Sequence, residues 1–203
     1  MMWTYSTCRF EGVAMKASGY QRIAADYYVE PRWAVDALLN VEPLPGVSWD
    51  PACGAGNIPL ALRARGLSCW GSDIADRGFG TTGLDFFEAP DTADNIVSNP
   101  PYGVIEMYVR RALDKTTFKV CILARLALLE SVKRQTLFRE TPLARVWVSA
   151  RRISMPPGGS TIEAKGGTIA YAWFTWERGH SGPPMMSSPP DRFPVCSGWS
   201  LPP

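Results

Sequence analysis

Apolar positions along this chain alternate between two rhythms. Short apolar or β-branched runs predict strands at Val47–Trp49, Leu67–Ile74, Gly83–Phe87, Ile96–Ser98, Phe118–Leu123, Arg145–Val148 and Thr168–Trp176. Helical spacing separates most of them. Ala34, Leu38 and Leu39 follow Pro31, a residue suited to a helix start. Leu60, Leu62 and Arg65 precede Gly66, which suits a helix C-cap. Residues 104–114 and Leu128–Phe138 repeat the pattern. The stretch 77–83 is rich in Gly and Thr and too short for a full crossover helix. Strands alternating with helices imply an α/β fold, a mainly parallel sheet with helices on both faces. No helical pattern joins the last two strands, so the sheet should end in an antiparallel hairpin. Residues 1–19 lack sustained periodicity and read as an N-terminal arm, 20–180 as the domain, and 181–203 as a Pro/Ser-rich tail.

Three strand ends carry unusual turns. The run Asp94-Asn-Ile-Val-Ser-Asn-Pro-Pro-Tyr-Gly103 stops a strand abruptly. Each proline fixes its own φ, removes an N–H and restricts the residue before it. Asn99 Oδ1 and the Pro100 carbonyl could thus be held as two acceptors, with Tyr102 offering an aromatic face beside them. Such a site suits a planar molecule with an exocyclic NH2, because accepting both hydrogens aims the nitrogen lone pair at an electrophile. Upstream, Val47-Ser-Trp feeds Asp50-Pro-Ala-Cys-Gly-Ala-Gly-Asn57, a glycine turn between strand and helix that a ligand can approach closely. The third glycine of a dinucleotide fingerprint is missing, and no Lys-Ser/Thr follows to make a P-loop. Asp73 closes the next strand about twenty residues on, where an acid can accept from both ribose hydroxyls.

Together these motifs resemble the Asn-Pro-Pro-Tyr amino-methyltransferases, which use S-adenosylmethionine (SAM) to methylate adenine N6 or glutamine N5 and release S-adenosylhomocysteine. The resemblance covers roughly residues 20–178. It implies a Rossmann-like SAM-dependent methyltransferase fold with a seven-stranded sheet of order 3-2-1-4-5-7-6. Asn99, Pro100, Pro101 and Tyr102 would form the catalytic turn. Asp50, Ala52, Cys53, Gly54, Gly56 and Asn57 would surround the amino-acid end of the cofactor, with Asp50 near its ammonium. Asp73 would take the ribose with Ile74 flanking the adenine, and Asp85 the adenine amino group with Phe86 stacking. Phe86 and Phe87 suit a core equally well. The segment around Tyr28 and Pro31 is similar to one that closes over the methionine end, although two packed tyrosines at a helix start would read alike. Glu30 stands where that family usually has Thr, which leaves Tyr28 and Pro31 as the candidates.

Composition narrows the partners. His180 is the one histidine, and the five cysteines (Cys8, Cys53, Cys69, Cys121, Cys196) include no C-x-x-C pair. Histidine triads, zinc sites and a disulfide framework are therefore not expected, and a reducing cytoplasm is. No apolar run is long enough to span a bilayer, and no secretory signal is visible. The net charge of +2 hides an asymmetry: residues 1–100 carry 7 Lys/Arg against 12 Asp/Glu, residues 101–180 carry 13 against 6. A basic second half suits a polyanion, and equally a set of solvated helix faces. The long polar connection from Arg151 and Arg152 to Lys165 is the candidate nucleic-acid contact, or else a hairpin tip. The order of motifs, cofactor turn before catalytic turn, resembles small phage-type adenine-N6 DNA methyltransferases. RNA adenine is the nearest alternative substrate, and a non-catalytic subunit binding nucleic acid or a partner enzyme is the other. No separate recognition domain is visible, so target choice would fall to a loop, a partner subunit or self-association.

Overall fold

The computed structural model describes residues 27–159 and 168–189. Lys165, the whole of the arm and residues 190–203 of the tail lie outside the described residues. Eight strands form one sheet: β1 (Val47–Asp50), β2 (Ser68–Asp73), β3 (Thr81–Thr82), β4 (Ala93–Ser98), β5 (Thr116–Arg125), β6 (Leu143–Val148), β7 (Tyr171–Glu177) and β8 (Met185–Ser187). Their order is β3-β2-β1-β4-β5-β7-β6-β8. The β3-β2-β1-β4-β5 half is parallel, and β7 runs antiparallel to both β5 and β6. The expected order and hairpin hold.

Alternation through the central strands explains why both faces are covered. Ile96, Val120, Ile122, Phe174 and Trp176 point into one apolar layer, and Val97, Cys121, Leu123 and Trp173 into the other. Helix α3 (Ile105–Lys115) and helix α4 (Gln135–Glu140) contribute Tyr108, Val109, Ala112 and Leu137 to the first layer. Helix α1 (Arg32–Leu39) and helix α2 (Asn57–Ala64) contribute Val35, Leu38, Ile58 and Leu62 to the second. All these side chains are buried.

Three expectations need correction. Strand three is Thr81–Thr82 rather than Gly83–Phe87. Asp85 folds that segment into a turn, its Oδ1 accepting from the Phe87 N–H at 2.9 Å and its carbonyl from the Ala89 N–H at 2.8 Å. The helix expected over Leu128–Phe138 is broken into two 3-10 turns and the short α4. The sheet has eight strands, not seven: Met185–Ser187, in the stretch read as tail, pairs parallel to β6 through Arg145–Trp147.

Beneath the sheet's far end, Glu42 ties three elements together. It accepts from Lys119 Nζ (2.9 Å), Trp147 Nε1 (2.7 Å) and the Arg145 guanidinium. Burial alone would raise its carboxyl, but bonds from Arg145, Trp147 and Lys119 outweigh burial and hold it below the usual range.

Candidate functional site

Strand order reverses between β1 and β4, and in open α/β sheets the crevice beyond such strand ends receives ligands. A cavity of about 290 Å³ lies there, near the lower bound for small-molecule sites. Its wall includes Tyr28, Asp50, Ala52, Cys53, Gly54, Asn57, Asp73, Ile74, Asp85, Phe86, Asn99 and Pro101. Pro31, Gly56, Pro100 and Tyr102 are not on that wall. Pro31 caps α1 and Gly56 caps α2. Gly56 adopts φ +88°, and a Cβ there would run into the Phe79 ring.

The cofactor-side turn is built by its own hydrogen bonds. Asp73 Oδ2 accepts from the Gly54 N–H at 2.9 Å and Oδ1 from the Ala75 N–H at 2.9 Å. Arg77 Nε lies 3.7 Å from Asp73 Oδ2, and its guanidinium sits 3.8 Å from the Tyr27 ring centre. Tyr27 in turn packs over the glycine turn: a Cβ on Gly54 would fall 2.6 Å from its ring, and Gly54 has φ +54°. Asp50 is buried, accepting from the Ser98 hydroxyl at 2.7 Å and the Ala52 N–H at 3.2 Å. Ser98 also bonds the Tyr108 hydroxyl (2.8 Å). Burial, with the nearby Glu30 and Asp73 charges, pushes the Asp50 carboxyl well above its ordinary value. Burial likewise pushes the Cys53 thiol up to about 12, so it is inert as a nucleophile. Phe86 is buried between Trp49 and Tyr108, ring centres 5.4 and 4.4 Å away, while still reaching the cavity wall.

The catalytic-turn candidate is clamped from three directions. Asn99 Nδ2 donates to the Tyr28 carbonyl (3.0 Å) and to Glu30 Oε2 (2.9 Å), with Met155 Sδ at 3.6 Å. Two pure acceptors at that end fix the amide's orientation. Asn99 Oδ1 accordingly faces the other way and accepts from the Tyr102 hydroxyl at 3.0 Å. The Tyr102 ring lies 5.2 Å from the Arg125 guanidinium and 6.3 Å from the Tyr171 ring. The segment around Tyr28 is itself strapped down: Val29 N–H donates to the Pro156 carbonyl (3.1 Å) and Gly158 N–H to the Tyr27 carbonyl (2.9 Å). Of the candidate nucleic-acid residues, Arg151 stacks 4.6 Å over Trp33 and Arg152 is exposed.

Sequence reasoning missed Glu30, Tyr27, Arg77, Tyr108 and Met155. Glu30 had been passed over as a departure from a pattern, yet it is only 7% exposed and touches Asn99. An acid inside the apolar-aromatic run Tyr27-Tyr28-Val29 was the available signal. Met155 arrives through a contact 56 residues distant in sequence, which no local pattern encodes. Among the described residues no cluster of His, Cys, Asp or Glu could hold a metal ion, and no helix is long and apolar enough to cross a membrane.

No protein-family model matches the chain, and no curated protein matches it in sequence. Solved structures match it in fold. A protein of Listeria monocytogenes described as a class I SAM-dependent methyltransferase superposes with a TM-score of 0.60 at 11% identity, over 87% of this chain and 70% of that one. A type I restriction enzyme modification subunit from Vibrio vulnificus gives 0.52 at 14% identity, over 78% of this chain. The present chain spans 45% of that subunit's length. A protein of Pyrococcus horikoshii described as an RNA methyltransferase gives 0.52 at 13% identity, over 72% and 80% of the two chains. What is shared is the fold: a Rossmann-like sheet of the SAM-dependent methyltransferase type.

Proposed function

We propose that this protein is a SAM-dependent amino-methyltransferase acting on adenine N6 of DNA. The observation that carries the reading is the orientation of Asn99. Its amide is turned so that Oδ1, the acceptor, points away from Tyr28 and Glu30 and toward the Tyr102 hydroxyl, while Asn99 itself lies on the wall of the cavity that begins under the Gly54 turn. Four acidic side chains, Glu30, Asp50, Asp73 and Asp85, line that cavity beside one guanidinium, Arg77. Asp50, Asp73 and Asp85 offer acceptors to a ligand bearing an ammonium, ribose hydroxyls and an adenine amine, and the left-handed Gly54 allows close approach to the backbone. The cofactor supplies an electrophilic methyl group when bound. Asp50 would hold its ammonium, Asp73 its ribose with Ile74 against the adenine, and Asp85 its adenine amino group, with Phe86 behind.

The chain's own contribution is position and electrostatics. Asn99 Oδ1 and the Pro100 carbonyl accept the two amine hydrogens and direct the lone pair at the methyl carbon. Tyr102 leaves Oδ1 as the base enters and offers its ring to the base face. An adenine in a duplex must first leave the stack, which costs a few kcal/mol, and stacking on Tyr102 offsets about 1–3 kcal/mol of that. Arg125, Arg151 and Arg152 lie on the basic half of the chain and would meet phosphates. Lys165 would extend that surface. The likeness to a type I modification subunit favours DNA. The likeness to a protein described as an RNA methyltransferase supports a second reading, RNA adenine. A partner subunit or self-association would then supply target choice.

The test is tritiated methyl transfer from SAM to single- and double-stranded DNA and to RNA, followed by nucleoside mass spectrometry. N6-methyladenine in DNA is expected. Label on RNA alone would move the substrate to the second reading, and no label anywhere with SAM bound would overturn both. Asn99→Ala should abolish transfer and leave SAM affinity nearly intact. Equal loss of both would remove Asn99 from the catalytic role.

A further inference from the structure

Glu30 has no task in the reaction as proposed, yet it occupies a costly position. Its carboxylate is buried on the cavity wall, and among the described residues no Lys or Arg lies within ion-pair distance of it. Burying an unpaired carboxylate is expensive. A neutral Gln or Thr could bond the Asn99 amide without that cost. The groups facing Glu30 do not relieve it. Asp50, at the end of β1, faces it with like charge. Asn57, from α2, donates at 3.1 Å to the Glu30 backbone carbonyl rather than the carboxylate. Met155, from the segment that pairs with Tyr27 and Val29, and Tyr102 reach Asn99 itself. The carboxylate's side-chain partner is therefore the Asn99 Nδ2, with its own backbone N–H as the other donor.

Building on the transfer reaction above, we propose that Glu30 is a positioning residue for it: its carboxylate locks the Asn99 amide with Oδ1 toward the acceptor amine and polarises that oxygen. The chemistry gives the polarisation a purpose. As the amine nitrogen forms its bond to the methyl carbon, the C–S electron pair stays on sulfur and positive charge moves onto the nitrogen. The N–H held by Oδ1 becomes more acidic and its hydrogen bond strengthens, more so when the acceptor amide carries a carboxylate at its far end. The proton leaves to solvent after transfer, so Glu30 need not take it. Burial pushes the Glu30 carboxyl up to about 7, partly countered by the Asn99 bond, which places the gain and loss of this charge near neutrality.

The experiment reads Asn99 directly. In ¹⁵N-labelled protein, the Asn99 side-chain amide resonances, assigned by their loss in Asn99→Ala, should titrate with a midpoint of about 7 and become flat in Glu30→Gln. Flat resonances in the wild type between about pH 5 and about pH 9 would overturn the proposal without any further variant. In kinetics on a DNA acceptor, Glu30→Gln should lower kcat about tenfold or more, with SAM Kd changed less than about twofold. Its kcat should lose the decline that the wild type shows below pH about 7. Glu30→Asp, which keeps the charge on a shorter arm, should recover part of kcat. Equal loss in Glu30→Asp and Glu30→Gln with the wild-type pH profile retained would make the residue merely structural. A wild type that methylates no nucleic acid would overturn the function and this role together, whereas an active wild type with a non-titrating Asn99 amide would overturn this role alone.

Discussion

Replacing Glu30 by Gln should stabilise the protein at alkaline pH and lose that advantage in acid. The carboxyl sits at about 7 in the fold against an ordinary 4.5. An acid raised on folding favours its neutral form in the native state. Its contribution to stability is therefore fully present below about 4.5, declines as pH rises, and is gone above about 7. Each pH unit in that window is worth about 1.4 kcal/mol, so the whole loss is about 3 kcal/mol. Gln keeps an oxygen for Asn99 Nδ2 and carries no charge, so it escapes the loss. Asp50 loses the like charge of Glu30 in the variant, which adds to the difference in the same direction. Urea unfolding at a series of pH values measures the difference. With an m-value of about 2 kcal/mol/M, the variant's midpoint should move upward by about 1.5 M relative to wild type between pH about 4.5 and about 8. A difference that stays constant across that range would refute the claim that Glu30 is a buried, uncompensated acid.

Other consequences test separate parts of the structure. Asp50 is raised by burial in the free protein, and a ligand ammonium would favour its ionised form; SAM binding should therefore release protons as the pH falls into the range where Asp50 titrates. Calorimetry in buffers of different ionisation enthalpy reads that release, and none at any pH would take Asp50 away from the ammonium. Asp73→Ala removes the acceptor for the Gly54 and Ala75 N–H groups as well as the expected ribose contact; SAM affinity should fall about tenfold or more by titration, and unchanged affinity would separate Asp73 from the cofactor. Glu42→Ala removes the 2.9 Å partner of the buried Lys119 and leaves Arg145 paired with Glu177 alone, and should cost about 3 kcal/mol in urea unfolding. Gly54→Ala puts a methyl group into the Tyr27 ring at a positive φ, so it should abolish SAM binding, and wild-type affinity would mean that the turn is not the cofactor's seat.

The half of the sheet from β1 to β5 was legible because each of its long strands is buried on both faces and reads as a continuous or alternating apolar run. Its glycine and proline punctuation marked the strand ends where ligands meet an α/β sheet. Two edge strands were not legible for the same physical reason: Thr81–Thr82 and Met185–Ser187 are exposed throughout and bury no face whose alternation would betray them. Gly83–Phe87 misled because its Leu and two Phe look like a strand, while the Asp85 side chain captures the Phe87 N–H and turns the chain. The broken stretch after Leu126 kept helical spacing, but of its apolar residues only Leu128 and Leu137 are fully buried, too few to hold one continuous helix face on the sheet. At the site, residues on strand ends such as Asp50, Asp73 and Asn99 could be brought to one cavity from the sequence. Those brought by pairing across the fold, Met155 and the Tyr27–Glu30 strap, could not.

That division bears on how the site works. The glycine turn and the Asn99 turn are fixed to the sheet by β1 and β4, while the groups that touch both turns come from outside it. Tyr27 covers Gly54 and is held by Arg77, and Glu30 and the Tyr28 carbonyl hold Asn99. One four-residue strap thus touches the candidate cofactor seat with its first residue and the candidate catalytic amide with its last. It is tied in place by two backbone bonds to Pro156 and Gly158. The cofactor seat and the Asn99 acceptor thus share one short segment of backbone.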